Sequence, residues 1–200
     1  MLGGSFDPPT IAHKMILDAA VAGLNARLGI YLPASRQYII EEKNQTEFLT
    51  RDVCAKMLTA MCVGKSDRNV CTLELISDKR EYTFDTLNRL KEMYPENEIC
   101  FIIGADKLNN LPNWYKAREL LNRFKIAVFN RDGKNAKQLI SGNEFLSANR
   151  EAFYVFDAPG CEGVSSAEFR RMYALNPEAA KKFVIPEVFA IYAELENQKQ

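Results

Sequence analysis

The stretch Gly3-Gly4-Ser5-Phe6-Asp7-Pro8-Pro9-Thr10-Ile11-Ala12-His13 gathers residue types that handle phosphate. Paired glycines let backbone approach a ligand closely and permit positive φ. Two prolines fix a turn into an apolar stripe, Ile11, Ala12, Met15, Ile16, Ala19 and Ala20, that has helical spacing. Thr10 falls near the start of that helix and His13 three positions on, so hydroxyl and imidazole converge on one face. The N–H groups of a helix start attract phosphate, and these side chains would add two donors. The same residues also suit a glycine turn with a threonine cap and a packed histidine, and residue chemistry alone leaves both readings open.

A second candidate lies far along the chain, in Gly163-Val164-Ser165-Ser166-Ala167-Glu168-Phe169-Arg170. Ser165-x-x-Glu168 fits a capping box. It also fits an anion site made of two hydroxyls, helix-start N–H groups and a guanidinium one turn along, since arginine grips phosphate in a forked fashion. Between the two stretches, Gly104-Ala105-Asp106 follows an apolar run, a common place for a carboxylate that accepts ribose hydroxyls. Trp114, the only tryptophan, follows in Leu111-Pro112-Asn113-Trp114-Tyr115. Its indole could stack on a cationic pyridine ring or sit in the core.

These groups need elements to hold them. Apolar positions alternate between strand and helix patterns. Strands are expected at 30–33, 70–75, 99–103, 124–129 and 153–156, and residues 34–47 read as a polar loop. Leu49, Val53, Met57 and Met61 mark one helix, and Phe84, Leu87 and Leu90 another. A last helix carries Val188, Phe189, Ile191, Tyr192 and Leu195 behind Pro186. Ile99-Cys100-Phe101-Ile102-Ile103 is continuously apolar, as in a strand buried on both faces. The fold class is therefore α/β: a Rossmann-like parallel sheet flanked by helices, with a small C-terminal helical segment, and residues 1–200 as one domain. Only Met1 and Leu2 precede Gly3, so the first strand should be short or the natural start lie upstream. Ligands of such sheets sit beyond the carboxyl ends of the strands, where the two stretches would fall.

Composition narrows the class. Lys and Arg number 26 against 26 Asp and Glu, so a generic nucleic-acid or anionic-membrane binder is not expected. No run is long and apolar enough to span a bilayer, and no secretory signal pattern opens the chain, which points to the cytoplasm. One histidine excludes a paired-imidazole metal site. Five cysteines without a C-x-x-C spacing suit reduced, structural thiols. No protein metal site is expected, and a homo-oligomer remains open.

Gly-Gly-Ser-Phe-Asp-Pro-Pro-Thr-Ile-Ala-His resembles the first signature of the nucleotidyltransferase superfamily, Gly-x-Phe-Asp-Pro then (His/Thr)-x-Gly-His. Ala12 replaces the usual glycine. Val164-Ser165-Ser166-Ala167-Glu168-Phe169-Arg170 resembles its second, Ile-Ser-Ser-Thr-x-x-Arg, with Ala167 replacing threonine. Gly104-Ala105-Asp106, Leu111-Pro112-x-Trp114 and Tyr82-Thr83-Phe84-Asp85-Thr86-Leu87 are similar to segments of the bacterial nicotinate-mononucleotide adenylyltransferases. So is Val184-Ile185-Pro186-Glu187-Val188. The resemblance covers nearly the whole chain. One loop departs: the family's Ala-Asn-x-Pro-Pro-His-Lys is here Ala34-Ser35-Arg36-Gln37-Tyr38-Ile39-Ile40-Glu41-Glu42-Lys43, with Arg36 or Lys43 left to supply charge.

The resemblance implies adenylyl transfer from ATP to the 5′-phosphate of nicotinate mononucleotide, giving deamido-NAD and pyrophosphate. It implies His13, Thr10 and Arg170 as catalytic residues. Gly3, Gly4, Ser5, Phe6, Gly104, Asp106, Arg131, Ser165 and Ser166 would bind ATP, with Mg2+ on the phosphates. Thr83, Trp114 and Tyr115 would bind the pyridine nucleotide. The rivals are a related enzyme with another acceptor, nicotinamide mononucleotide or phosphopantetheine, and a catalytically silent nucleotide-binding paralogue.

Overall fold

The computed structural model describes residues 1–43, 49–131, 133–158 and 160–198. In chain order the elements are β1 (Leu2–Gly4), α1 (Ile11–Gly23), β2 (Gly29–Pro33), α2 (Arg36–Lys43), α3 (Arg51–Cys62), β3 (Arg68–Val70) and α4 (Thr83–Met93). There follow β4 (Cys100–Gly104), α5 (Ala117–Arg123), β5 (Lys125–Asn130), α6 (Ala136–Ser141), α7 (Glu144–Ala148), β6 (Phe153–Asp157), α8 (Ser166–Leu175), α9 (Pro177–Ala180) and α10 (Pro186–Asn197).

The strands form one six-stranded sheet in the order β3-β2-β1-β4-β5-β6, all parallel. The order reverses between β1 and β4, and there the carboxyl ends of the strands open a crevice. β1 is only three residues long; it pairs with β2 from Leu2 to Gly4 but meets β4 at Leu2↔Ile102 alone. The short first strand expected from the sequence is what the sheet contains.

Alternation along the strands divides the core in two. Tyr31, Ile102, Ala127 and Phe129 face a layer made of α1, α3, α8 and α10, through Leu17, Met57, Leu58, Phe169, Val188 and Tyr192. Leu32, Phe101, Ile103, Ile126 and Val128 face Leu87 and Leu90 of α4, Leu120 of α5, Ile140 of α6 and Leu146 of α7. The C-terminal helical segment is tied in by aromatic contacts, with Tyr192 edge-on to Phe169 and Tyr173, each at 4.9 Å between centroids.

Two local expectations are corrected. Residues 36–43 of the expected loop form α2. Ser35 is fully buried, its hydroxyl accepts the Tyr38 N–H at 3.2 Å, and Ile39 turns inward, so a mostly polar segment gains a cap and an anchor. Residues 44–47 of that loop lie outside the described residues, as does the side chain of Lys43. The strand expected over 70–75 is only Arg68–Val70. After Cys71, whose N–H reaches the Tyr31 carbonyl at 2.8 Å, the chain turns so that Glu74 and Leu75 both point into the protein. An alternating pattern was present, but a turn buries its two residues equally well.

Candidate active site

β1 delivers the chain to the crevice at Gly4. The glycines serve close packing rather than positive φ: a Cβ on Gly3 would lie 3.0 Å from the Phe101 ring, and one on Gly4 3.3 Å from the Phe6 ring. The left-handed residue of the turn is Phe6, at φ 47°. Its ring is 1% exposed and packs edge-on against His13 at 4.9 Å and Tyr31 at 5.8 Å. That packing holds a strained backbone in place. Ser5 lies between Gly4 and this residue, and the peptide between Asp7 and Pro8 is cis.

Thr10 is the N-cap of α1 and His13 its third residue. The Thr10 N–H donates to His13 Nδ1 at 2.9 Å, and the Thr10 hydroxyl lies 2.9 Å from the same nitrogen. Nδ1 therefore presents its lone pair, and the proton of the neutral ring is on Nε2. Thr10 is 1% exposed, so its hydroxyl orients the imidazole. The capped turn is therefore present, and it orients the histidine ring.

The second stretch docks onto the first. Ser165 caps α8, accepting the Glu168 N–H at 3.1 Å. Ser166 donates its hydroxyl proton to the Pro8 carbonyl at 2.8 Å. Arg170 Nη1 binds the Asp7 carboxylate at 3.0 Å and also the Asp7 carbonyl. Asp7 is 4% exposed, and its other oxygen accepts the Leu49 N–H at 3.0 Å. The starts of α1 and α8 thus share one turn. The Ser166 O–H is engaged with Pro8, so its helix-start N–H is what it can offer an anion; Ser165 keeps its O–H, and Arg170 its Nε and Nη2. Cys54 Sγ lies behind the turn, 3.9 Å from the Phe6 carbonyl, and burial pushes its thiol up to about 12, so it stays protonated.

Beside this turn is a cavity of about 680 Å³. Ala12 and Ile16 of α1, Asn130 and Arg131 at the end of β5, Asp157 at the end of β6, and Val164 and Ser165 before α8 line it. That volume falls in the range of small-molecule sites. Gly104 and Asp106 stand nearby at the end of β4: a Cβ on Gly104 would meet Arg131 Cδ at 2.7 Å, and Asp106 faces Arg131 at 3.7 Å and Lys107 at 3.1 Å. Asp106 Oδ1 is buried without a hydrogen bond, with Arg131 Nε 3.7 Å away. A smaller hollow of about 300 Å³ at the outer edge of β6, lined by Lys137, Arg150 and Phe153, holds none of these groups.

The remaining expected residues gather on the other side of β4. Trp114 is half-buried and packs edge-on against Phe101 at 6.4 Å. Thr83 opens α4, and its neighbour Tyr82 lies 4.7 Å from Tyr115 between ring centroids. The ring of Phe101 links the two sides, since it touches Trp114 and crowds Gly3. Arg36, the first residue of α2, begins the divergent loop. Sequence reasoning passed over Asp7, Asn130, Asp157 and Phe101. Asp7 stood inside the first stretch, but only the fold shows that it binds Arg170. Asn130 and Asp157 face each other across the β5–β6 register at 2.7 Å.

A doubly wound sheet with two helix starts aimed at one turn and a nucleotide-sized cavity beside it defines a nucleotide-handling α/β protein. The cytidylyltransferase-like family model matches residues 1–172. A probable nicotinate-nucleotide adenylyltransferase of Shouchella clausii is 34% identical over 137 residues, 68% of this chain and 70% of the relative. One of Exiguobacterium sibiricum is 28% identical over 94% of this chain and 90% of its own. The chain belongs to the cytidylyltransferase-like family and, within it, to the nicotinate-nucleotide adenylyltransferases. The fold is also that of the nicotinic acid mononucleotide adenylyltransferase of Plasmodium falciparum. That protein, solved in complex with APC, has a TM-score of 0.73 and 22% identity, covering 98% of this chain and 94% of the other. The same protein, solved with NaAD, gives 0.72 and 23%, covering 97% and 93%.

Proposed function

We propose that this protein transfers the adenylyl group of ATP to the 5′-phosphate of nicotinate mononucleotide, releasing pyrophosphate and forming deamido-NAD. The observation that carries it is the convergence of the α1 and α8 starts on the Asp7–Pro8 turn, between the 680 Å³ cavity and an aromatic corner at Trp114. The relatives' names supply the acceptor.

An oxygen of the acceptor phosphate attacks the α-phosphorus of ATP, and the bond from that phosphorus to the bridging oxygen of pyrophosphate breaks. The attacking oxygen is already anionic, so no general base and no covalent enzyme intermediate are required, and catalysis is positioning plus charge neutralisation. His13 Nε2–H, aimed by Thr10, donates to the α-phosphate as charge builds there. Ser165 O–H, the Ser166 N–H and the outer edge of Arg170 hold the β- and γ-phosphates. Each such donor is worth roughly 2–4 kcal/mol by analogy with oxyanion donors. Gly3 to Phe6 lets the phosphates lie close to backbone, Asp106 accepts ribose hydroxyls at Gly104, and Arg131 covers the adenine. Trp114 stacks the pyridine, while Thr83 and the Tyr115 N–H take its carboxylate.

Among the described residues no group of three His, Cys, Asp or Glu side chains could hold a metal. The groups at the two helix starts are hydrogen-bond donors, and Asp7 is engaged by Arg170 and Leu49. Mg2+ bound with ATP would then ride on its phosphates and would neutralise charge on the leaving pyrophosphate. Residues 1–200 act as one domain in this reading, working in the cytoplasm; no helix among the described residues is long and apolar enough to cross a membrane.

Pyrophosphate release with ATP and a panel of acceptors tests the reading. Nicotinate mononucleotide should exceed nicotinamide mononucleotide and phosphopantetheine in kcat/KM. A preference for either of the others, or ATP binding without turnover on any, would replace it.

A further inference from the structure

Glu74 has no place in the chemistry above, yet it is 9% exposed and bonded inside the protein. The turn that cuts β3 short swings it onto the inner face of α4, where Thr86 Oγ1 donates to its carboxylate at 2.6 Å. Thr86 lies three residues after Thr83, and residues at that spacing are neighbours on one helix face. A buried carboxylate therefore stands one turn behind the helix start expected to receive the carboxylate of the pyridine ring.

We propose that Glu74 is a positioning residue for the pyridine nucleotide: through Thr86 it fixes the start of α4, and by taking a proton it lets that start accept the nicotinate anion. The proposal rests on the assignment of Thr83 to the nicotinate carboxylate and deepens it. Two anions one helical turn apart repel, the more so because Glu74 is buried. The ligand is held as an anion, so Glu74 is the group that yields. The Thr86 bond survives protonation, because the carbonyl oxygen of a neutral carboxyl still accepts.

The surroundings support such a proton. Burial, above all, raises Glu74 to about 7, against the Thr86 hydrogen bond, which lowers it. Glu81 raises it further and Arg89 lowers it. Arg89 also serves Glu81, at 3.4 Å, so its charge is shared. Cys71, across the same connector, has its own thiol raised by burial and brings no positive charge. Glu74 thus takes a proton more readily than an ordinary carboxyl, and a second anion beside it draws that proton on.

Calorimetric binding of nicotinate mononucleotide and nicotinamide mononucleotide at pH 6, 7 and 8.5 tests this. The two ligands share a phosphate, so the ratio of their affinities removes its titration. In the wild type, the preference for the nicotinate form should fall about tenfold between pH 6 and 8.5, as one pKa unit of coupling requires. Binding at pH 7.5, measured in two buffers of different ionisation enthalpy, should show proton uptake with the nicotinate form and less with the amide. Glu74→Gln keeps the bond to Thr86 without the charge. It should hold the pH 6 preference at every pH and abolish the uptake. A wild-type pH slope retained in Glu74→Gln, or equal losses with both ligands, would overturn the proposal. Thr83→Val separates the two layers: if it lowers the nicotinate preference while Glu74→Gln leaves the slope unchanged, only the role of Glu74 falls. If Thr83→Val leaves the preference intact, the Thr83 assignment falls and takes the proposal with it.

Discussion

His13 has a structural part at the start of α1 and, in the proposed mechanism, a chemical one. Its Nδ1 closes the start of α1 by accepting the Thr10 N–H, and in the proposed mechanism Nε2–H serves the α-phosphate. A role in the transition state should appear in kcat rather than in ground-state binding. His13→Ala is expected to lower kcat by about 10²–10³-fold, with a much smaller change in KM for ATP. The geometry also ranks the rescues. The amide nitrogen of glutamine reaches about as far as Nε2, whereas that of asparagine stops near Nδ1, where Thr10 already sits. His13→Gln should recover more turnover than His13→Asn. Steady-state kinetics on the three variants checks both points, and near-normal turnover in a folded His13→Ala would remove the imidazole from the mechanism.

At the scale of elements, the site depends on α8 staying docked on the turn before α1. Asp7 holds that dock with one oxygen and the backbone after α2 with the other. Asp7→Asn keeps the shape but removes the charge that faces Arg170, whose side chain is only 36% exposed. The fold should lose on the order of 1–3 kcal/mol in urea unfolding, since a hydrogen bond to a charged group is broken. KM for ATP should rise, because Ser165 and Arg170 lose their common seat. No change in either would mean that Ser166 and Pro8 suffice. This dock was not legible in the sequence: Asp7 and Arg170 lie at opposite ends of the chain, and no periodicity relates them. Elements with a continuous or strictly spaced apolar pattern were legible. β4 read as a doubly buried run, β5 as a strand, and α1 and α10 as apolar stripes behind prolines. α2 was not, because its stability comes from the Ser35 cap, the buried Ile39 and polar contacts such as Arg80 with Glu41, none of which makes a hydrophobic stripe. The end of β3 was misread for a related reason. Leu73, Glu74 and Leu75 alternate like a strand, yet Glu74 is buried through a partner on α4 that only the fold brings near. The two helix-start stretches could be marked out in the sequence because glycines, prolines and hydroxyls cluster there, although the same residues also fit plain caps.

The whole molecule sets two helix starts at the centre of the crevice, a cavity of about 680 Å³ toward β5 and β6, and an aromatic corner toward α4. That corner carries a cost in the free protein. Glu74 is raised from the ordinary 4.5 to about 7 by burial, so the folded chain holds a proton that the unfolded chain releases. The sign follows from linkage. The contribution of this group is fully present below pH 4.5, is lost progressively as pH rises to about 7, and stays lost above it. With about 1.4 kcal/mol for each unit of pKa difference, the loss is at most on the order of 3 kcal/mol. Glu74→Gln cannot ionise and keeps the Thr86 bond, so it should match the wild type near pH 4.5 and exceed it at pH 8. Urea unfolding of both proteins across that range isolates the effect, because other titrating groups are common to the two and cancel in the difference. A difference that stays constant with pH would show that the Glu74 carboxyl titrates alike in the folded and unfolded chains. A difference that grows in favour of the wild type would mean that the carboxylate is stabilised where it sits, by more positive charge than Arg89 alone provides.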